Sequence, residues 1–150
     1  MSDGIKVKKR NGRGTEPLNL DKMHKMVEEA CNGIAGVSAS QVEINSGIQF
    51  YDGITTGEIQ EILIKSASDL IDLENPNYQF VAARLLLFQL RKSLYGKTRE
   101  LPPLEEHITK LAYEDLYDKD IFDKYTKEEI AKADTFLNHE RDFKFTYAGL

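Results

Sequence analysis

Asn75-Pro76-Asn77-Tyr78-Gln79-Phe80-Val81-Ala82-Ala83-Arg84-Leu85-Leu86-Leu87-Phe88-Gln89-Leu90-Arg91-Lys92-Ser93-Leu94-Tyr95-Gly96 is the stretch on which the fold turns. Asn75 offers an N-cap, Pro76 a proline at the first helical position and Gly96 a stop, so the pattern predicts one long helix over 76–95. It is apolar around nearly its whole girth until Arg91, which marks a central, buried helix. The rest of the chain has to supply the cover for it.

Upstream, Thr55-Thr56-Gly57-Glu58 reads as a capping box, with Thr55 as N-cap and Glu58 three residues inside. The helix it opens carries Ile59, Ile62, Leu63, Ala67 and Leu70 on one face and ends near Ile71. Asp52-Gly53 is a turn. Ser38 or Ser40 caps a helix reaching about Tyr51, with Ile44, Ile48 and Tyr51 aligned, although Val42/Ile44 and Ile48/Phe50 also fit strand alternation. Asn19 caps a further helix over about 20–32, whose apolar positions Leu20, Met23, Val27, Ala30, Cys31 and Ile34 recur at three and four, with Gly33 as its stop. Ile5 to Arg10 alternates like a half-buried strand, and Asn11-Gly12-Arg13-Gly14 turns it into a second extended piece at 15–18. Lys9 then falls on the apolar face of the strand, where a charge costs free energy unless an anion meets it or its stem reaches back to water.

Downstream, 97–103 reads as a linker ending in Pro102-Pro103. Helical spacing resumes at 104–113, and short helices come next at 121–125 and, capped by Thr126, at 127–137. The closing run Phe143 to Leu150 is partly apolar and has no polar tail, which suggests that more protein should come after it. The expected architecture is mainly α, with a small amino-terminal β-hairpin or sheet on a four-helix bundle (1–96) and a helical connector (97–150).

The 150 residues suffice for one self-standing core, and 41% apolar with 30% charged residues is an ordinary globular composition. No stretch approaches the length of a membrane span. Cys31 stands alone and no export signal precedes the first strand, which favours a reducing cytosol. One cysteine and three scattered histidines, His24, His107 and His139, argue against a structural zinc site or a dithiol centre. Cys31 lies on a buried stripe and reads as a packed small hydrophobe.

The net charge of −5 hides two basic islands. Residues 1–25 hold seven Lys or Arg against three acids, and 75–99 hold five against none, while the segments 26–74 and 100–150 are acidic. An acidic whole disfavours long nucleic acid, whereas two basic segments that meet in the fold hold a small polyanion. Scattered solvated lysines are the plain alternative. No glycine-rich phosphate loop is present, which leaves side chains and a helix N-terminus for phosphate: Lys9, Arg10, Lys22, Arg91, Lys92 and the start of the helix at Thr55-Thr56. Phe88 and Lys92 share a helix face at i and i+4, an aromatic plane beside a cation. Read singly, Phe88 is core and Lys92 a helix-end cation. No carboxylate pair suggests acid–base catalysis, and His139-Glu140-Arg141-Asp142 reads as a structural ion-pair cluster.

Five segments, taken in order, carry a resemblance: Val7-Lys8-Lys9-Arg10-Asn11-Gly12, Leu18-Asn19-Leu20-Asp21-Lys22, Tyr51-Asp52-Gly53-Ile54-Thr55-Thr56, Pro76 to Leu85, and Leu90-Arg91-Lys92. They resemble the ATP-cone at the amino terminus of ribonucleotide reductase. Tyr95-Gly96, the Pro102-Pro103 linker, Asp123-Lys124-Tyr125 and His139 to Tyr147 resemble the segment joining that cone to the catalytic barrel in the large subunit of the aerobic, class I enzyme. The resemblance implies an overall-activity switch in deoxyribonucleotide synthesis for DNA, with ATP activating and dATP inhibiting, accompanied by Mg2+. It implies the barrel and the small radical-generating subunit as partners, with no nucleic acid and no membrane. By motif, Val7, Lys9, Arg10, Glu16, Asn19, Lys22, Thr56, Phe88 and Lys92 fall at nucleotide-site positions. The basic members approach phosphates, Glu16 and Asn19 help fix the nucleotide, and Thr56 borders the base pocket.

Where relatives often carry His beside the sugar, this chain has Gln60, and the hairpin is one residue longer around 13–15. Ribose reduction needs a thiyl radical and two reducing cysteines, so a chain with one cysteine is expected to be inactive alone although it belongs to an oxidoreductase. The rival from another class is an assembly domain with a decayed nucleotide site. A repressor-type cone is a further rival, and it predicts a Cys-rich zinc ribbon before the cone that this chain lacks.

Overall fold

The computed structural model describes residues 4–9, 12 and 14–150. Among them the fold is mainly α with a small three-stranded sheet, as the sequence pattern predicts. The chain divides into two compact units: the described residues up to Gln89 together with Phe143–Leu150, and Leu90–Asp142.

In the first unit, β1 (Lys6–Lys8) and β2 (Thr15–Pro17) pair antiparallel as the expected hairpin. Period 2 puts Val7 into the core and leaves Lys6 and Lys8 exposed. A third strand, β3 (Ile54–Thr55), lies parallel to β1 on its other side and gives the order β2-β1-β3. Two residues are too few for periodicity to reveal it. Gly53, at a φ of +84°, makes the bend into β3, and its N–H donates to the Lys6 carbonyl at 2.8 Å.

The helix α1 (Leu20–Cys31) starts as expected, with Asn19 Oδ1 accepting the Lys22 N–H at 2.8 Å. Its Val27 and Ala30 are fully buried. The helix α2 (Ala39–Gly47), capped by Ser38, ends a turn sooner than the sequence reading has it. The aligned Ile44, Ile48 and Tyr51 do not form its buried face: they are 65%, 83% and 51% exposed, while Val42 and Ser46 are sealed. The small Ser46 and Ser66 let α2 close on α3 (Thr56–Asp69), and Gln49 Nε2 donates to Ser66 Oγ at 3.4 Å.

The capping box of α3 is complete. The central helix α4 (Tyr78–Tyr95) begins two residues later than Pro76, because Asn75 turns its side-chain amide to Asp72 and the segment 75–77 forms a tighter turn. Tyr78, Val81, Ala82, Leu85 and Phe88 enter the core with Leu63, Ala67, Val27 and Ile54. Tyr78 also joins two elements, donating its hydroxyl to Gln41 Oε1 at 2.6 Å and accepting the Ser38 N–H at 3.0 Å.

The second unit holds the end of α4, α5 (Leu104–Tyr113), α6 (Ile121–Lys124) and α7 (Lys127–Asp134). Its small core is Ile108, Ala112 and Ile130. Arg91 is 5% exposed and bonds the Asp142 carboxylate at 2.7 Å. No described helix is long and apolar enough to cross a membrane.

Candidate functional site

The sheet register gathers much of the expected site. Lys8 on the central strand lies opposite Thr15 on one side and Thr55 on the other. Lys9 and Thr56, which follow Lys8 and Thr55 on parallel strands, therefore lie at one end of the sheet, while Glu16 stands opposite Val7 on the antiparallel side. Lys9 comes directly after the last residue of β1, so its charge is not forced inward as the alternation implies. Its Nζ instead meets Glu16 Oε2 across the hairpin at 2.9 Å.

From Glu16 the chain runs through Pro17 and Leu18 into the capped start of α1. Residues 16–22 line an open groove of about 590 Å³. Glu16, Asn19 and Lys22 all border it, so three residues named from the resemblance share one depression. Pro17, Leu18, Leu20 and Asp21 complete the wall; the sequence reading quotes the segment 18–22 but gives none of these four a place in a ligand site. With Glu16 tied to Lys9 and Asp21 beside Lys22, the groove carries both signs of charge.

The start of α3 is not the open phosphate cradle that the sequence reading allows. Thr55 Oγ1 accepts the Glu58 N–H, and Glu58 Oε2 accepts the Thr55 hydroxyl at 2.7 Å and the Thr55 N–H at 2.8 Å. The Thr55 hydroxyl first, then its N–H and the Tyr51 hydroxyl, hold the Glu58 carboxyl below its ordinary pKa. A fixed negative charge at this helix end repels a second anion.

One turn on, Gln60 is buried and donates Nε2 to the Leu85 carbonyl at 3.0 Å. That carbonyl can only accept, which fixes which arm of the Gln60 amide is nitrogen. Val7 is 3% and Phe88 2% exposed, both in the core cluster. Phe88 stands edge-on to Phe143, with ring centroids 6.2 Å apart. Lys92 is exposed on the last turns of α4 and belongs to the second unit. Arg10 lies outside the described residues. Arg91 leaves the set of phosphate candidates, since it is buried and holds Asp142. Cys31 is half-buried, and burial pushes its thiol up to about 11.

Residues 5–93 match the family model described as the ATP cone domain. The chain belongs to the ATP-cone family. The chain is 47% identical, over all 150 residues, to ribonucleoside-diphosphate reductase 1 subunit alpha of Escherichia coli (strain K12), of which it covers 19%. Identity is 45% over the whole chain to the subunit alpha of Haemophilus influenzae (strain ATCC 51907 / DSM 11121 / KW20 / Rd), covering 20% of it. It is 40% over 97% of the chain to the Helicobacter pylori (strain ATCC 700392 / 26695) subunit alpha, covering 18%. This cone-bearing chain thus spans about a fifth of the length of the curated relatives it matches.

Proposed function

We propose that the chain is the regulatory amino-terminal part of a class I ribonucleoside-diphosphate reductase large subunit, binding ATP as activator and dATP as inhibitor. The observation that carries this reading is the groove at residues 16–22, bordered by Glu16, Asn19 and Lys22 and linked through Glu16 to Lys9, in a chain of the ATP-cone family. Lys9 and Lys22 are the proposed phosphate ligands, Glu16 and Asn19 fix the nucleoside, and Thr56 with Gln60 borders base and sugar. The resemblance adds Val7, Arg10, Phe88 and Lys92 to this set.

Among the described residues no group of three or more His, Cys, Asp or Glu side chains is arranged to hold a metal ion. Magnesium in this proposal is carried by phosphate oxygens and keeps most of its water. The nucleotide acts as a switch only by favouring one arrangement of the cone over another, because a ligand that binds both equally shifts nothing. The catalytic remainder of the large subunit and the small radical-generating subunit are the proposed partners, in the cytosol. Radical chemistry with three thiols belongs to that remainder, since Cys31 is the sole thiol of this chain.

The test is thermal unfolding with MgATP or MgdATP. At a hundredfold excess over Kd, binding to the native state adds about 2.7 kcal/mol, a rise in Tm of roughly 5–10 °C for a chain of this size. A rise with either nucleotide supports the reading. No rise with both supports the assembly domain with a decayed site.

A further inference from the structure

We infer that Phe143 is a positioning residue that makes the segment Phe143–Leu150 part of the cone and passes the state of α4 on to it. The inference rests on the nucleotide reading above. Phe143–Leu150 belongs to the same compact unit as the cone, although the whole of Leu90–Asp142 intervenes in sequence. The link is the Phe143 ring, which packs against the core cluster. Its ring meets Phe88 edge-on, at an interplanar angle of 68°, and Arg84 Cζ lies 5.5 Å from its centroid. Arg84 and Phe88 stand four apart on α4, one above the other on a single face.

Neither contact is local in its consequences. Arg84 Nη1 donates to the Asn32 carbonyl at 2.6 Å and to the Ala30 carbonyl at 3.3 Å, closing the C-terminal end of α1. The guanidinium thus joins α1, α4 and the returning segment. On the α3 side, Gln60 holds the carbonyl of Leu85, one residue after Arg84 and one turn before Phe88. Thr56 precedes Gln60 by one turn on α3. The residues proposed to border the nucleotide are therefore connected to Phe143 by one hydrogen bond and one ring contact. A shift of α3 against α4 on binding changes the seat of Phe143, and with it the ordering of the segment behind it.

The test measures hydrogen exchange of the amides of 144–150 in the full chain, with and without MgATP, while calorimetry on the same samples gives ATP affinity. In the parent chain ATP slows exchange in this segment by about fivefold or more, within the ordinary range of coupling between sites. Phe143→Ala abolishes that ATP-dependent difference. By reciprocity it also weakens ATP binding by the same factor. Phe143→Leu keeps the apolar bulk and loses only the ring contacts, so it gives an intermediate result and guards against a variant that fails to fold. A purely structural role would speed exchange equally with and without ATP, and that result overturns the inference. So does ATP binding to the parent with no change in exchange at 144–150. If the parent binds no ATP, the nucleotide reading itself fails and the coupling fails with it.

Discussion

Glu16→Gln is the substitution whose effect the site geometry fixes most closely. In the free protein the Glu16 carboxylate holds the Lys9 ammonium at 2.9 Å, and the two side chains are 49% and 44% exposed. An ion pair so open to water contributes about 0–1 kcal/mol. A phosphate that takes Lys9 must forgo that amount, so removing the Glu16 charge raises affinity for a bare polyphosphate by up to about fivefold. Isothermal titration with inorganic tripolyphosphate at low ionic strength reads this directly, and the gain shrinks in about 1 M salt, where the screening length falls to about 3 Å. ATP gains less than tripolyphosphate, because Glu16 is also proposed to fix the nucleoside. Lys9→Ala weakens both ligands. Unchanged or weaker tripolyphosphate binding by the Glu16→Gln variant at low salt refutes the reasoning.

Thr55→Ala removes the cap of α3 and costs about 1 kcal/mol, a fall in Tm of roughly 2–4 °C in a melting curve. It also takes away the largest influence that lowers the Glu58 pKa, so the Glu58 carbon resonance titrates at higher pH in the variant. Because the folded Glu58 pKa is depressed, its contribution to stability is present above the unfolded value and is lost as pH falls through the folded one. His24 bridges helices, with Nδ1 2.7 Å from Glu43 on α2 and Nε2 3.1 Å from Glu28 on its own helix; the Glu43 hydrogen bond is the chief cause of its raised pKa. Its stabilising effect is full below pH 6.5 and is lost as pH rises through the folded pKa; NMR titration finds the midpoint above 6.5, and Glu43→Gln lowers it. Cys31, pushed up to about 11, reacts slowly with iodoacetamide at pH 8 in the native chain and quickly once the chain is unfolded.

The features legible in the sequence are those whose cause is local. Asn19, Ser38, Thr55 and Thr126 cap their helices because a short oxygen side chain reaches an amide two or three residues ahead, which sequence spacing alone specifies. The girth of apolar residues around α4 likewise announces its burial. The features that escaped are set by partners far along the chain. β3 exists because β1 offers a free edge, and α2 faces inward through Val42 and Ser46 because α3 presents the small Ser66 to it. Arg91 reads as a phosphate cation until Asp142 occupies it. Phe143 carries no local sign that it returns to the cone core. For the candidate site, the resemblance names Glu16, Asn19 and Lys22, three of the residues that border the groove, whereas the Lys9–Glu16 pair and the filled start of α3 arise only when hairpin and capping box are built.

The structure of the chain with bound dATP tests the account's central claim most directly. The account predicts triphosphate density in the groove lined by residues 16–22, with Lys9 withdrawn from Glu16 and both Lys9 and Lys22 within hydrogen-bond distance of phosphate oxygens. A nucleotide bound on another surface, with the Lys9–Glu16 pair intact, would contradict it.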